Sequence, residues 1–327
     1  MSTVIDTNAD RTSERVGPAT AGPTRGRATL KAPKPARKRG RREVIVASGF
    51  LAPFLLLTLM FQYVPLAVMA RDSMHEFTLY NPDMAEFVGG DNFFKAFTNP
   101  TTLQSMGVTL LFMAGFLALT VPLGFLLAVY LNAKLPARGV IRTMVFLPVV
   151  TSSVVVATMW GFILNQSGLL NSSLGSIGLG PFNFLTDSSL ALPAIILISA
   201  WQQVGLAAVV FLGGLQSIPD DVLEAASVDG AGPLRRLVSI TIPLVSRTTV
   251  LVTVVMTVFA IQAFAPAYVI TSGGPQGTTN LFVFDIYRTA FFLQQPGYAS
   301  ALSVILLLFA LLISAIEMRL LRTTWSY

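Results

Sequence analysis

Two sets of side chains in this sequence have the types and spacing to do chemistry. The first is acidic: Asp220, Asp221, Glu224 and Asp229, closed by Gly230. Pro219 stands ahead of them, where its missing N–H would have no helical partner anyway. Asp220, Asp221 and Glu224 put negative charge near the positive end of a helix dipole. Gly230 can leave a helix at positive φ, and Gly232-Pro233 prevents simple continuation. The pattern predicts a short helix with well-marked ends, carrying a small, smooth patch at Ala225 and Ala226. A helix lying on anionic lipid would show bulky apolar residues with Lys or Arg on its polar face. Alanines beside acids fit a groove on another protein better.

The second set is uncharged: Trp201, Gln202, Gln203, Gln262, Phe264 and Tyr268, with hydroxyls at Thr151, Ser152 and Ser153. Amides pair with hydroxyls, and aromatic faces stack on apolar C–H faces, so together they suit a sugar. Helix–helix hydrogen bonding and simple packing are the competing reading for each of these residues. Other chemistry is scarce. The chain has no cysteine, which excludes disulfides, thiolate zinc sites, Fe–S clusters and cysteine nucleophiles. Its single histidine, His75, reads as an exposed loop imidazole, and one imidazole cannot build a multi-histidine metal site. No Gly-Lys dipeptide occurs, so the chain has no P-loop. We expect no catalytic residue, no metal site and no cofactor bound by the chain itself.

The elements that must hold these residues are apolar. Hydrophobic residues make up 53% of the 327, and charged residues only 12%, about half the usual globular share. Mean hydropathy is +0.68. Charge-free stretches run over 44–70, 96–133, 143–186, 188–219, 248–284 and 289–316. Gly, Pro, Asn and Ser punctuate them, which predicts six transmembrane helices near 44–70, 104–131, 140–164, 191–214, 247–270 and 299–321. Unpaired backbone groups in lipid cost several kcal/mol, so helices are the natural spanning elements. β-Barrel alternation is absent. The first stretch is too long for a cleavable signal peptide. The fold class expected is all-α, a polytopic membrane protein. The spans read as free of formal charge, which speaks against an ion-coupled secondary transporter, the alternative reading, and suits a neutral solute.

The net charge of +6 belongs to one end. Residues 1–42 hold 11 Lys and Arg against 3 Asp and Glu, and the remainder holds 11 against 13. Residues 1–42 show no period of 2 or 3.6 and read as a disordered basic cytoplasmic tail whose last charges face membrane lipid. No aromatic residue interleaves with its cations, so a nucleic-acid partner is not expected. Orientation follows from Lys and Arg placement: the tail, Lys134, Arg138, Arg142, Arg235, Arg236, Arg247, Arg319 and Arg322 on one side, and Arg71, Lys95 and Arg288 on the other. The richer side is cytoplasmic, so both termini should lie inside. The other side receives polar loops over 71–103, 165–190 and 271–298.

The segment Glu224-Ala225-Ala226-Ser227-Val228-Asp229-Gly230-Ala231, followed by Ile240-Thr241-Ile242-Pro243-Leu244, resembles the EAA loop of permease subunits of binding-protein-dependent ABC importers. Leu215-Gln216-Ser217-Ile218-Pro219, Tyr268-Val269-Ile270-Thr271-Ser272-Gly273-Gly274-Pro275 and Phe87-Val88-Gly89-Gly90-Asp91-Asn92-Phe93 are similar to the carbohydrate-uptake branch, specifically the maltose-type or glycerol-phosphate-type first permease. Leu237 and Ser246 depart from the usual pattern. The resemblance implies a six-helix permease domain over 43–327 of the type I importer fold, in the cell (cytoplasmic) membrane, with a cytoplasmic coupling helix inside 215–246. Glu224, Ala225 and Ala226 would contact a separate ATPase, Asp229 would help hold the loop, and Gly230 would make the turn. The partners implied are a second homologous permease, a dimer of ABC ATPase that binds the ATP, and an extracytoplasmic solute-binding protein. The subunit would not be an enzyme. Its cargo would be a sugar, oligosaccharide or related polyol, with glycerol-3-phosphate or a glycerophosphodiester as the variant reading.

Overall fold

The computed structural model describes residues 41–133 and 138–320. The expected tail therefore lies outside the described residues, except for Arg41 and Arg42, which open the first helix; Lys134 and Arg322 also lie outside. The chain divides into two units, Met1–Leu56 and Leu57–Tyr327. The first holds most of α1 (Arg41–Thr58). The site belongs to the second.

In the second unit a π-helical segment, Leu59–Tyr63, leads into α2 (Val64–Asp72). A hairpin follows, β1 (His75–Thr78) with β2 (Asn81–Phe87), antiparallel, with His75 opposite Phe87 and Thr78 opposite Asn81. It is the only sheet among the described residues, and an all-α reading missed it because its residues are polar and lack clean alternation. The rest is helical: α3 (Asp91–Thr98), α4 (Pro100–Asn132), α5 (Arg138–Val150), α6 (Ser153–Leu164), α7 (Leu169–Gly175) and α8 (Ala191–Gln216). Then come α9 (Asp220–Val228), α10 (Pro233–Arg236), α11 (Ile242–Leu244), α12 (Ser246–Ile261), α13 (Phe282–Tyr287) and α14 (Pro296–Leu320). Among the described residues six helical stretches are long and apolar enough to cross a membrane: Ser48–Asp72, Pro100–Asn132, Ser153–Gly175, Ala191–Gln216, Ser246–Thr271 and Pro296–Arg319.

Local chemistry sets the ends. Helix α4 starts four residues before the expected 104 because Asn99 caps it, its Oδ1 accepting from Thr101 N at 2.9 Å, with Pro100 in the first turn. His75 is half-buried. Its Nδ1 faces Arg71 O at 2.8 Å and its ring meets Phe87 edge-on at 5.4 Å. Asn92 ties α3 to the hairpin's start, donating to Ser73 O and His75 O, both at 3.0 Å.

Two spans that the sequence suggests as single helices, with Pro148 and Pro266 marking bends, are broken outright. The expected helix over 140–164 is α5 and α6, interrupted at Thr151 and Ser152, with Ser152 extended at φ −56°, ψ 133°. Pro148 weakens the turn before the break, and the Thr151 hydroxyl donates to Leu147 O at 3.0 Å, competing with the backbone ladder. The expected helix over 247–270 stops at Ile261 and resumes as a π-helical segment, Pro266–Thr271. Pro266 lacks an N–H, and its ring would clash with the carbonyl four residues back, that of Gln262.

Helix α8 is the most buried span and forms the axis of the packing. It meets α4 closely: a Cβ added to Gly124 would lie 2.6 Å from Ala207 Cβ. Small residues at this crossing let the backbones approach, where dispersion rather than water exclusion drives association in lipid. Phe112 and Phe116 of α4, Phe211 of α8 and Met256 of α12 fill the core. One expectation is corrected here. The spans are not free of charge: the expected 140–164, 247–270 and 299–321 hold Arg142, Arg247, Glu317 and Arg319, and in α14 Glu317 Oε1 accepts from the buried Thr257 hydroxyl at 2.6 Å. A carboxylate there is held by a neighbouring helix rather than left facing lipid.

Candidate functional site

The two helix breaks meet at one cavity of about 330 Å³. Phe112 and Phe116 of α4 line it, one turn apart and stacked at 6.0 Å. Ser153 stands at the first residue of α6, and Ser199, Gln202 and Gln203 share one face of α8. Phe259 and Ala260 of α12 and the whole break from Gln262 to Pro266 complete the wall. No lining side chain is charged.

Helix polarity adds to this chemistry. Helix α6 presents its N-terminus, with no side-chain cap on its first amides. Helix α12 presents its C-terminus, where Gln262 is the cap residue. One end offers backbone donors and positive potential; the other offers acceptors and negative potential. Discontinuous helices whose ends face a common cavity are how membrane transporters build polar seats without leaving backbone against lipid.

The glutamines divide their work. Gln202 is buried, and its Nε2 donates to Thr151 O at 3.0 Å, the carbonyl freed by the first break. That bond satisfies the carbonyl two residues before Ser153, while Gln202 itself also lines the cavity. The carbonyl oxygen of Gln203 is buried with no protein partner among the described residues. An orphan acceptor of this kind costs about 1–3 kcal/mol unless something else donates to it. Gln262 is exposed at the break, and Phe264 is half-buried on the cavity wall.

Four of the six expected path residues, Gln202, Gln203, Gln262 and Phe264, thus share the cavity. Trp201 does not: it is 40% exposed and packs edge-on against Trp160 at 5.5 Å. Tyr268 lies beyond the wall, stacked on Phe264 at 5.1 Å. Ser153 is on the cavity, whereas Thr151 contributes its carbonyl to the Gln202 bond. The sequence reading missed Ser199, Phe112, Phe116 and Phe259. Ser199 was findable, since it precedes Gln202 and Gln203 by three and four residues on one helical face.

The acidic segment lies between α8 and α10, and its helix is α9. Pro219 is its N-cap, just ahead of the helix, rather than part of the first turn. Gly230 has φ +76°, Ala231 N donates to Ala226 O at 3.0 Å, and Gly230 N donates to Ser227 O at 3.1 Å. This pair of bonds is a Schellman motif, the common glycine-dependent helix stop. Glu224 and Ala225 are exposed, but Ala226 is buried inside the chain, so the smooth docking patch is narrower than expected. Asp229 is an exposed C-cap residue. The side-chain bond across this turn runs instead from Arg236 Nη1 to Ser227 Oγ at 3.1 Å. Asp220, Leu223, Glu224, Ser227 and Arg236 line a groove of about 270 Å³. Val228 and Leu234 stand beside it, 88% and 73% exposed.

Six helical stretches among the described residues, each long and apolar enough to cross a membrane, define a multi-pass membrane protein. The chain belongs to the family described as binding-protein-dependent transport system inner membrane component, whose model matches residues 120–324. It is 34% identical over 248 residues to the sn-glycerol-3-phosphate transport system permease protein UgpA of Pectobacterium atrosepticum, covering 74% of this chain and 83% of that one. It is 33% identical over 263 residues to the trehalose/maltose transport system permease protein MalF of Thermococcus litoralis, covering 79% and 88%. Its fold matches, at a TM-score of 0.76 and 23% identity over 88% of this chain, a chain of a bacterial alginate ABC transporter crystallised with an alginate pentasaccharide-bound periplasmic protein. The protein is accordingly a permease subunit of a binding-protein-dependent ABC importer, a transport component.

Proposed function

We propose that this subunit, with a second homologous permease, forms the pathway by which a neutral sugar, oligosaccharide or polyol is imported. The observation that carries the reading is the cavity at the two breaks, where amides, a serine pair and aromatic faces converge without one charged side chain. Polyhydroxylated solutes need donors, acceptors and flat apolar surfaces together. The relative named for glycerol-3-phosphate handles a phosphate, which calls for a cation. The lining here has none, which favours the neutral cargo of the trehalose/maltose relative.

Force would enter through α9, docked in a cleft of a dimeric cytoplasmic ATPase. Its exposed acids, the adjoining groove and the bare Val228 and Leu234 support a protein partner. Glu224 and Ala225 would make the contact and Gly230 would set the angle. ATP would be bound by that ATPase, and a solute-binding protein would deliver cargo at the hairpin end. The Lys and Arg imbalance supports an orientation with α9 and both termini in the cytoplasm.

The test is uptake by the complete transporter carrying Gln203→Leu. KM should rise about tenfold, the value of one lost hydrogen bond, with the ATPase still associated. An unchanged KM for every carbohydrate taken up would remove the cavity from the cargo's route.

A further inference from the structure

Glu317 and Thr257 make a buried polar pair that neither the cavity nor α9 accounts for. They stand on different spans, 60 residues apart in sequence, and the Thr257 hydroxyl donates to Glu317 Oε1 at 2.6 Å. That length is at the short end for a hydroxyl donor, as carboxylate acceptors give. Glu317 Oε2 is buried as well and has no partner among the described residues. A buried carboxyl with one oxygen unpaired costs stability, and an apolar pair of similar volume would hold the helices at least as well. What the bond supplies is register: it fixes one level of α14 against one level of α12.

Both levels matter to the moving parts. From α9 the chain runs through α10, the π-helical segment Leu237–Thr241 and α11 into α12. Thr257 lies eleven residues after Ser246, about 16 Å along α12. Phe259 and Ala260, two and three residues further on, line the cavity, and the break begins at Gln262. The bond therefore stands between the stretch that carries α9 and the stretch that walls the cavity. Helix α14 is anchored at its other end too. Tyr298 Oη and Thr102 Oγ1 of α4 are 3.0 Å apart, and Tyr298 and Leu302 pack with Ala96 and Phe282. Helix α14 thus links the start of α4 to the middle of α12.

We propose that Glu317 and Thr257 form a fulcrum. The bond pins α12 to α14, so that a displacement of α9 tilts α12 about Thr257 and reshapes the break from Gln262 to Pro266, instead of sliding the whole helix. Glu317 is then a positioning residue, acting through α12 rather than on cargo. This role rests on the reading that α9 receives force from an ATPase. A proton relay is the other common use of an intramembrane carboxyl. Among the described residues, however, no second titratable group bonds to Glu317, and the hydroxyl one turn back on α12, that of Thr253, donates to Thr249 O at 2.8 Å.

The experiment uses the complete transporter in liposomes, with a spin label at Val228→Cys on α9 or at Gln262→Cys on the break. Each is paired with a label at Leu308→Cys, on an exposed stretch of α14, and the chain has no cysteine of its own. Distances are read by pulsed EPR without nucleotide and after trapping with ATP and vanadate. With Glu317 and Thr257 intact, both distances should shift on trapping. In Glu317→Leu, and equally in Thr257→Val, the Val228 shift should remain and the Gln262 shift should be lost. Removing both partners leaves no polar atom stranded, so the double variant should keep a Tm near wild type and still lose the Gln262 shift. Glu317→Gln keeps an acceptor for Thr257 and should move as wild type. A Gln262 shift that persists in the double variant, or a Gln variant as defective as the Leu variant, would overturn the fulcrum alone. A Val228 distance unmoved by trapping with the pair intact defeats the reading of α9, and the fulcrum with it.

Discussion

The cavity and α9 are built on opposite plans. Every feature that shapes α9 lies within about a dozen residues: the Pro219 cap, the early acids, and Gly230 with its two closing bonds. The cavity has almost no local definition. Its wall comes from four spans, and the bond that stabilises its first break joins residues 51 apart in sequence. In the roles proposed for them, α9 would have to keep its shape while its surroundings move, which local bonds ensure, and the cavity would have to change shape as helices shift, which distant contacts permit.

The contrast predicts how each region breaks. The largest effect is expected from Gly230→Pro, which forbids φ +76° and removes the amide that closes onto Ser227. Uptake should vanish at equal membrane abundance, and retained uptake would show that α9 need not end there. Glu224→Ala should follow, with uptake falling by roughly tenfold or more as an exposed charge contact is lost. Because Glu224 is exposed, thermal stability should stay put, and a fall in Tm would reassign it to the fold.

Gln202→Leu should act on the other region through structure. It strands the Thr151 carbonyl, at a cost of about 1–3 kcal/mol, so Tm should fall in detergent even without cargo. A Tm equal to wild type would mean the break is held by something else. Pro266→Ala should act in the reverse sense: with an N–H restored, the Gln262 carbonyl regains a partner and the helix can close. Stability should rise by up to about 3 kcal/mol while uptake slows. Faster uptake would contradict the role given to the break. Trp201→Phe should do least, with KM within twofold of wild type, since Trp201 packs on Trp160 away from the cavity.

The sequence was most legible where physics is local. Gly230 and Pro219 marked the ends of α9 because turn chemistry depends on a few neighbours. The charge-free stretches located the spans because the bilayer tests composition over some twenty residues at a time. The break at Thr151 was legible only as a bend at Pro148, three residues earlier, because the compensating donor lies on another helix. Nor was the burial of Ala226, which depends on the body of the protein beneath α9. Amides on α8 pointed to a polar site, yet only the folded chain separates Gln203, with an unpaired oxygen, from Gln202, spent on its neighbour.

The start of α6 and the finish of α12 both border the cavity. Their partial charges are of opposite sign and similar size, roughly half an elementary charge each, so the seat as a whole is electrically balanced. An uncharged passenger crossing it would carry no current and displace no counter-ion. The translocation step should then run at the same speed whether or not a voltage stands across the bilayer, leaving nucleotide supply as its throttle.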